Sequence, residues 1–299
     1  MDYKKIIKSQ KYRFEILKLL SFIPDNIMIK LQYKIKTGRI LNLKAPQRYT
    51  EKLQWYKLNY RNSLLTQCAD KYTVRAYVKK KGLGHILNEL YGVYEKVDDI
   101  NFDILPNKFV IKVTNSSGTN IFISDKKTMD INLVKSQLNR WMVPQKKSHG
   151  REWCYYNIKP RIIIERLIER DSNNDLPDYK FFCFNGRVFC LYTMIEYVDN
   201  HENGKLGFYD TRFKKMPYRR MDFGDITEEI PKPRGFEKMV EIAEVLSKDF
   251  PHVRVDLYNT DGRIIFGELT FYNASGYTSF YPDEFDYILG NQFEISQKS

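Results

Sequence analysis

The chain of 299 residues has no uninterrupted apolar run approaching the ~18 residues that a membrane-spanning helix needs. Its first residues, Met1-Asp2-Tyr3-Lys4-Lys5, are not followed by the apolar core of a secretory signal. Neither integral insertion nor export by that route is expected. Cysteine is scarce: Cys68, Cys154, Cys183 and Cys190 lie far apart without a CxxC pair, and the four histidines show no zinc-ligand spacing. A zinc knuckle and a disulfide framework are therefore excluded, and the cysteines are expected to be reduced cytoplasmic packing residues. His85, His201 and His252 have no partner pattern and receive no role. With 11 prolines and 15 glycines the chain is neither collagen-like nor linker-like. It has no internal repeat, no GxxxxGK[ST] and no GxGxxG, so P-loop and Rossmann chemistry find no support.

What the chain does contain is enough apolar material for a full core, 42% hydrophobic and 15% aromatic, well outside the disordered classes. At roughly 100–200 residues per domain, one elaborated domain or two to three lobes around a cleft fit its length. The net charge of +12 is unevenly placed: residues 1–80 carry 19 Lys+Arg against 5 Asp+Glu, while the remainder is at −2. Such a patch concentrates acidic lipid head groups, acidic polysaccharide or nucleic acid. The 22 tyrosines are spread along the chain rather than gathered in a basic stripe, so no stacking platform can be read and the sequence argues against nucleic acid.

The first 65 residues read as short basic helices. Ile6, Ile7, Phe14, Leu17 and Leu20 recur at helical spacing with Lys4, Lys8, Lys11 and Lys18 between them, until Pro24 interrupts. Such a helix either lies on an acidic membrane surface or packs on the domain beside it. A second helix is expected to follow Asp25 and stop near Gly38, and a third to start at Thr50. Beyond residue 65 the pattern becomes mixed α/β. Asp70 caps a helix running through Lys80 to Gly82, residues 109–113 form a strand, and Asp130 opens a helix ending before Pro144. Residues 146–157 read as a loop, with His149-Gly150-Arg151-Glu152 either a lid over an acidic acceptor or a rigid connector. Strands follow at 162–164 and 180–184, the second turning at Asn185-Gly186 into 187–191. A helix near 236–247 precedes strands at 252–258 and 263–269, joined at Asp261-Gly262.

Several residues in these elements can carry chemistry. Arg254 and Asp256 alternate onto one strand face, and a hairpin brings Glu268 beside them. Two carboxylates and a guanidinium there either hold magnesium and steady developing negative charge, or pair with each other on a solvated face. Lys112 lies on an apolar strand that leads into Asn115-Ser116-Ser117-Gly118-Thr119, a polar turn whose N–H groups can cradle phosphate or merely join two strands. Glu165 follows an apolar run, and Asp178 and Lys180 open the next strand; Glu165 and Asp178 are of the types that adenine and ribose recognition require, though taken singly each is the more ordinary surface charge at a strand end.

Taken in order, Phe-Val-Ile-Lys-Val-Thr-Asn-Ser-Ser-Gly, Gly-Arg-Glu-Trp, Asp-Tyr-Lys-Phe-Phe-Cys-Phe-Asn-Gly, Val-Arg-Val-Asp-Leu-Tyr and Phe-Gly-Glu-Leu-Thr-Phe-Tyr resemble the teichuronopeptide-biosynthesis (TupA-like) branch of the ATP-grasp superfamily, from about residue 30 onward. The resemblance implies an α+β fold in which two lobes clamp ATP: a basic helical region over 1–65, a lobe with the phosphate loop over 66–158 and a lobe with the metal site over 159–299. It implies Lys71 and Lys112 on phosphates, Ser116, Ser117, Gly118 and Thr119 covering them, Glu165 and Leu167 at the adenine hinge, Asp178 on ribose and Lys180 near the phosphates. Asp256, Glu268 and Thr270 would hold Mg²⁺, with Arg254, Lys180 and Arg151 serving catalysis. Two departures stand out. Thr270 occupies a place where the superfamily often has Asn, and Asn115-Ser116-Ser117 replaces a more glycine-rich loop, whose extra Cβ atoms are expected to restrict positive φ and alter closure. The implied reaction joins the carboxylate of an acidic saccharide, a uronic acid, to an amine through an acyl phosphate, in the cytoplasm or peripherally at the inner membrane face. A glycosyltransferase and an ATP-dependent sugar kinase are the rivals; for the former, neither Asp98-Asp99 nor the acids between 171 and 175 follow the apolar strand that a DxD site expects. A third alternative is a non-catalytic module whose basic helices tether an acidic glycan.

Overall fold

The computed structural model describes residues 9–144, 147, 149–197 and 204–295. Lys4, Ile6, Ile7 and Lys8 of the first expected helix, Lys146 of the loop, and His201 lie outside the described residues.

Two sheets organise the chain. Strands β1 (Leu90–Tyr94), β2 (Phe109–Val113), β3 (Asn120–Ile123) and β4 (Ile162–Arg166) form an antiparallel sheet in the order β1-β4-β2-β3. Alternation sorts its residues by face. Phe109, Ile111 and Val113 share a side with Ile162 and Ile164, and all five pack into a core with Val134 and Leu138 of the helix Ile131–Trp141. Asp130 accepts a hydrogen bond from Leu133 N at 3.0 Å and caps that helix as its side-chain chemistry predicts. Lys112 and Glu165 alternate onto the other face, away from this core.

The second sheet holds β5 (Asp178–Phe184), β6 (Arg187–Ile195), β7 (Lys205–Tyr209), β9 (Gly224–Asp225), β10 (His252–Thr260) and β11 (Arg263–Thr270) in the order β11-β10-β5-β6-β7-β9. Between them in sequence, β8 (Arg219–Arg220) pairs with β12 (Phe280–Tyr281). The β5–β6 hairpin turns at Asn185 and Gly186, both at positive φ, 49° and 77°; the Asn-Gly pair adopts this geometry at low cost. One sheet face packs on the helix Phe236–Ser247 through Phe236, Met239, Ile242 and Leu246.

The helices Tyr49–Asn59, Ser63–Ala69 and Val74–Lys80 bury Tyr49, Leu53, Tyr56, Leu65, Val74 and Tyr77 in the same large core as this second sheet. No core boundary therefore falls at 65/66; residues 49–80 buttress the C-terminal lobe, and residues 97–142 with β4 own the smaller core. Thr50 N and Oγ1 donate to the buried Asp286 carboxylate at 2.9 and 2.8 Å, tying Tyr49–Asn59 to the last helix, Glu284–Gln292. The approach is so close that a Cβ on Gly290 would lie 2.1 Å from the Gln47 carbonyl oxygen. All four cysteines are buried and unbridged. No described helix is long and apolar enough to cross a membrane.

Candidate functional site

Strand register assembles the site. On the second sheet Arg254 lies opposite Phe182 and Thr270, Asp256 opposite Lys180 and Glu268, and Tyr258 opposite Asp178, with Tyr192 beside Lys180. Alternation then directs Asp178, Lys180, Tyr192, Arg254, Asp256, Glu268 and Thr270 to one face, opposite to the one covered by Phe236–Ser247. A bulge after Asp256 inserts Gly267, and a Cβ there would come 2.9 Å from the Asp256 carbonyl oxygen, so only glycine lets Glu268 sit against Asp256.

These side chains form a continuous ion network. Arg254 donates from Nε and Nη2 to the two oxygens of Asp256 at 2.7 and 2.6 Å, and reaches Glu268 at 3.2 Å, Thr270 Oγ1 at 3.0 Å, Asn273 Oδ1 at 2.6 Å and the Tyr192 hydroxyl at 3.2 Å. Lys180 Nζ bridges Asp178 at 2.5 Å and Asp256 at 2.6 Å. Burial works against the charged form of Asp256, but Arg254 and Lys180 outweigh it and hold the carboxyl below its usual range. For Asp178 burial, aided by the Asp256 charge, outweighs the pull of Lys180: its pKa is pushed up to about 6, and its Oδ1 has no partner among the described residues. Burial likewise opposes the Lys180 ammonium, yet Asp178 and Asp256 hold its pKa above normal.

The first lobe contributes a second set of charges. Glu165 accepts from Arg75 at 2.9 Å and from Lys112 at 2.8 Å, so both its oxygens are committed to cations, Lys112 on its own sheet and Arg75 on a helix of the larger core. Glu165, expected at the hinge facing adenine, thus neutralises and orients Lys112. Lys71 follows Asp70, whose Oδ1 accepts from Tyr72 N and Thr73 N and starts the turn before Val74–Lys80. Its ammonium reaches the carbonyls of Val113 and Ser116, and burial lowers its pKa to about 8 against the opposing pull of Glu268. In the loop itself Ser116 Oγ pairs with Thr119 Oγ1 at 3.0 Å, Ser117 and Gly118 are exposed at the tip, and positive φ falls at Gly118, at 73°, but at none of Asn115, Ser116 and Ser117. The serine side chains therefore impose no backbone strain in this arrangement. Leu167, just past β4, lines a recess of about 230 Å³ shared with Asn88 on its own side and Thr260, Arg263 and Ile265 of the other lobe.

Arg151 is not part of this assembly. Its guanidinium is buried against the N-terminal helices, donating to the carbonyls of Leu20 and Ile23 and to Asp25, each at 2.9 Å. These contacts tie the His149–Trp153 loop to the N-terminal helices. Sequence reasoning missed Arg75, Tyr192 and Asn273. Tyr192 was accessible through alternation on the hairpin partner of Lys180; Asn273 lies beyond the end of β11, and no periodicity reaches it. A larger cavity of about 830 Å³ is lined by Tyr179 and Asn259, which alternate onto the opposite sheet face, so it is separate from the ion network.

The donor chemistry is compatible with magnesium. Asp256, Glu268 and the oxygens of Thr270 and Asn273 are hard ligands gathered around one guanidinium, and such a set selects Mg²⁺ over softer ions. Among the described residues no group of three or more His, Cys, Asp or Glu stands ready for a metal; phosphate oxygens and water must complete the sphere, as Mg²⁺ commonly allows.

No curated protein matches this chain. Among solved structures, D-alanine–D-alanine ligase from Bacillus anthracis is 19% identical with a TM-score of 0.42, over 70% of this chain and 59% of that one. The same enzyme from Helicobacter pylori is 13% identical at TM-score 0.42 over 76% and 61%, and an L-amino acid ligase from Bacillus licheniformis 12% identical at 0.43 over 81% and 52%. The chain thus spans less than two thirds of the length of each. The TupA-like ATPgrasp family profile, by contrast, matches residues 51–294, a span that takes in both sheets, the phosphate loop and every member of the ion network. With an α+β architecture of two facing sheets beneath that match, the chain belongs to the TupA-like ATP-grasp family.

Proposed function

We propose that the protein is an ATP-dependent carboxylate–amine ligase that joins an amine to an acidic saccharide, a uronic acid of a bacterial surface polysaccharide or its precursor. The observation that carries this reading is the position of Arg254: one guanidinium touches Asp256, Glu268, Thr270 and Asn273 together. A cation so held is suited to a substrate carboxylate arriving beside a nucleotide γ-phosphate.

In this scheme a carboxylate oxygen attacks the γ-phosphorus; the new O–P bond forms as the bond to ADP breaks. The amine then attacks the acyl carbon, the C–O bond to phosphate breaks, and the amine proton passes to solvent or to a neighbouring base. Lys71 and Lys112 neutralise phosphate charge, Glu165 and Arg75 fix Lys112, and Lys180 keeps Asp256 ionised. Arg254 orients the carboxylate and stabilises the tetrahedral oxyanion. Magnesium held by Asp256 and Glu268, with Thr270 or Asn273, would supply charge neutralisation at the phosphates. The reaction draws on cytoplasmic ATP.

The test is ADP release with uronic acid and amine supplied separately and together. A ligase releases ADP in full only with both, and hydroxylamine traps the acyl phosphate as a hydroxamate. ADP release with a neutral sugar alone would establish a kinase instead, and consumption of a nucleotide sugar without ATP a glycosyltransferase.

A further inference from the structure

The two N-terminal helices, α1 (Gln10–Leu19) and α2 (Asp25–Thr37), turn apolar side chains outward. Ile27, Leu31 and Ile35 recur every fourth residue, which places them on one face of α2; they are 55%, 46% and 45% exposed. Met28, Ile29, Gln32 and Tyr33 on the other face are buried, so the outward stripe exists in addition to the face that packs. On α1, Tyr12, Ile16 and Leu19 likewise share one side and are exposed, as is Phe22 in the connecting turn. A single exposed leucine needs no explanation, but two stripes at helical spacing mark an interaction surface.

The charges around the stripes indicate what covers them. Lys30 and Lys34 border the α2 stripe and Lys18 is exposed on α1. Residues 1–40 carry 10 Lys+Arg against 3 Asp+Glu. An apolar protein partner satisfies the stripes but not the lysines, and a soluble acidic polymer satisfies the lysines but not the stripes. An anionic bilayer satisfies both, taking the apolar side chains at its acyl boundary and the ammonium groups at its head groups. We propose that α1 and α2 dock the protein on an anionic phospholipid surface.

This surface is attached rigidly to the rest of the molecule. Arg151 grips the turn between the helices, Gln32 Nε2 donates to the His149 carbonyl at 2.9 Å, and the Tyr277 hydroxyl donates to Gln32 Oε1 at 2.7 Å. Residues 149–151 and 277 flank Glu152 and Ser275, which are bonded to each other at 2.9 Å, close to Asn273 of the candidate site. Docking therefore sets the orientation of the lobes toward the bilayer, an arrangement suited to a lipid-linked acceptor.

The experiment is flotation of the full chain with vesicles of phosphatidylcholine alone or with about 30% phosphatidylglycerol. Binding is expected only to the anionic vesicles and is expected to weaken with salt. The variant Ile27→Ser/Leu31→Ser/Ile35→Ser should lose at least tenfold in binding with an unchanged circular dichroism spectrum. Lys30→Glu/Lys34→Glu should also bind less and show a shallower salt dependence. Leu133→Ser, at an exposed apolar position on the helix Ile131–Trp141, serves as control and should bind as the parent does. The proposal is overturned by failure to float with either vesicle, by equal binding of the stripe variant and the parent, by equal loss in Leu133→Ser, or by a parent dimer that the stripe variant converts to monomer without any lipid binding.

Discussion

Replacing Lys180 by Met isolates one charge in the ion network. Asp256 keeps its two-point bond from Arg254, but Asp178 loses its one cationic contact, since its other oxygen is already without a partner among the described residues. A carboxyl whose pKa is raised in the folded state costs stability as pH climbs above the unfolded value, about 3.9 for Asp, at about 1.4 kcal/mol per unit. The cost levels off once pH passes the folded pKa. With Lys180 present that happens at about 6; without it the plateau moves to higher pH, because only the weaker pull of Arg254 is left against burial and the Asp256 charge. Parent and variant should therefore run parallel from pH 4 to about 6 and diverge above it, at a slope of up to about 1.4 kcal/mol per pH unit for as long as the variant still takes up a proton on folding. Urea denaturation at pH 5, 6, 7 and 8 reads this directly. The double variant Lys180→Met/Asp178→Asn removes the titrating group and should show no divergence. A gap constant from pH 5 to 8, or a divergence that survives in the double variant, refutes the coupling between these two side chains.

Glu268 sits at the rim of the network with a half-exposed side chain, so Glu268→Gln should reduce ATP turnover at least ~100-fold while leaving the melting temperature within about 2 °C of the parent; wild-type turnover removes the metal and substrate assignment. Asp256→Asn, by contrast, strips the neutralising charge from buried Arg254 and Lys180 and should cost about 3–5 kcal/mol in denaturant unfolding; an unchanged midpoint counts against the network as drawn. Gly290→Ala should destabilise by roughly 1–3 kcal/mol or more, because the added methyl meets backbone at Gln47 and Tyr49 rather than a movable side chain; differential scanning calorimetry checks it. His252 is buried with its pKa lowered to about 3, its Nδ1 against the Cys183 carbonyl and its Nε2 against the Tyr49 hydroxyl. A carbonyl only accepts, so Nδ1 carries the hydrogen and the ring is neutral; the unfolded chain binds a proton that the folded one refuses, and stability drains as pH falls below about 6.5. His252→Gln should lose less on moving from pH 7 to 5 than the parent; an identical pH profile refutes this.

Much of the architecture was legible because it depends on local rules. Phe109–Val113 and Phe236–Ser247 match the sequence reading residue for residue, and the turns at Asn185-Gly186 and Asp261-Gly262 lie where their dipeptides put them. Alternation alone placed Arg254 and Asp256 on one face, and the hairpin brought Glu268 to them. Short strands with little periodicity escaped: Leu90–Tyr94 has a half-buried residue at every position, so no alternation marks it.

Periodicity, turn chemistry and motif order determined which residues carry charge, which strands they lie on and which family they belong to. Only the tertiary structure decided the partners. Glu165 is committed to Arg75, ninety residues away in sequence, Arg151 to a helix turn that no local pattern links to it, and Arg254 to an asparagine beyond the strand end. Residues 49–80 join the far lobe for the same reason. A side chain declares its charge and its face locally, but burial forces it to find an opposite charge, and which one lies within reach is set by how distant segments pack.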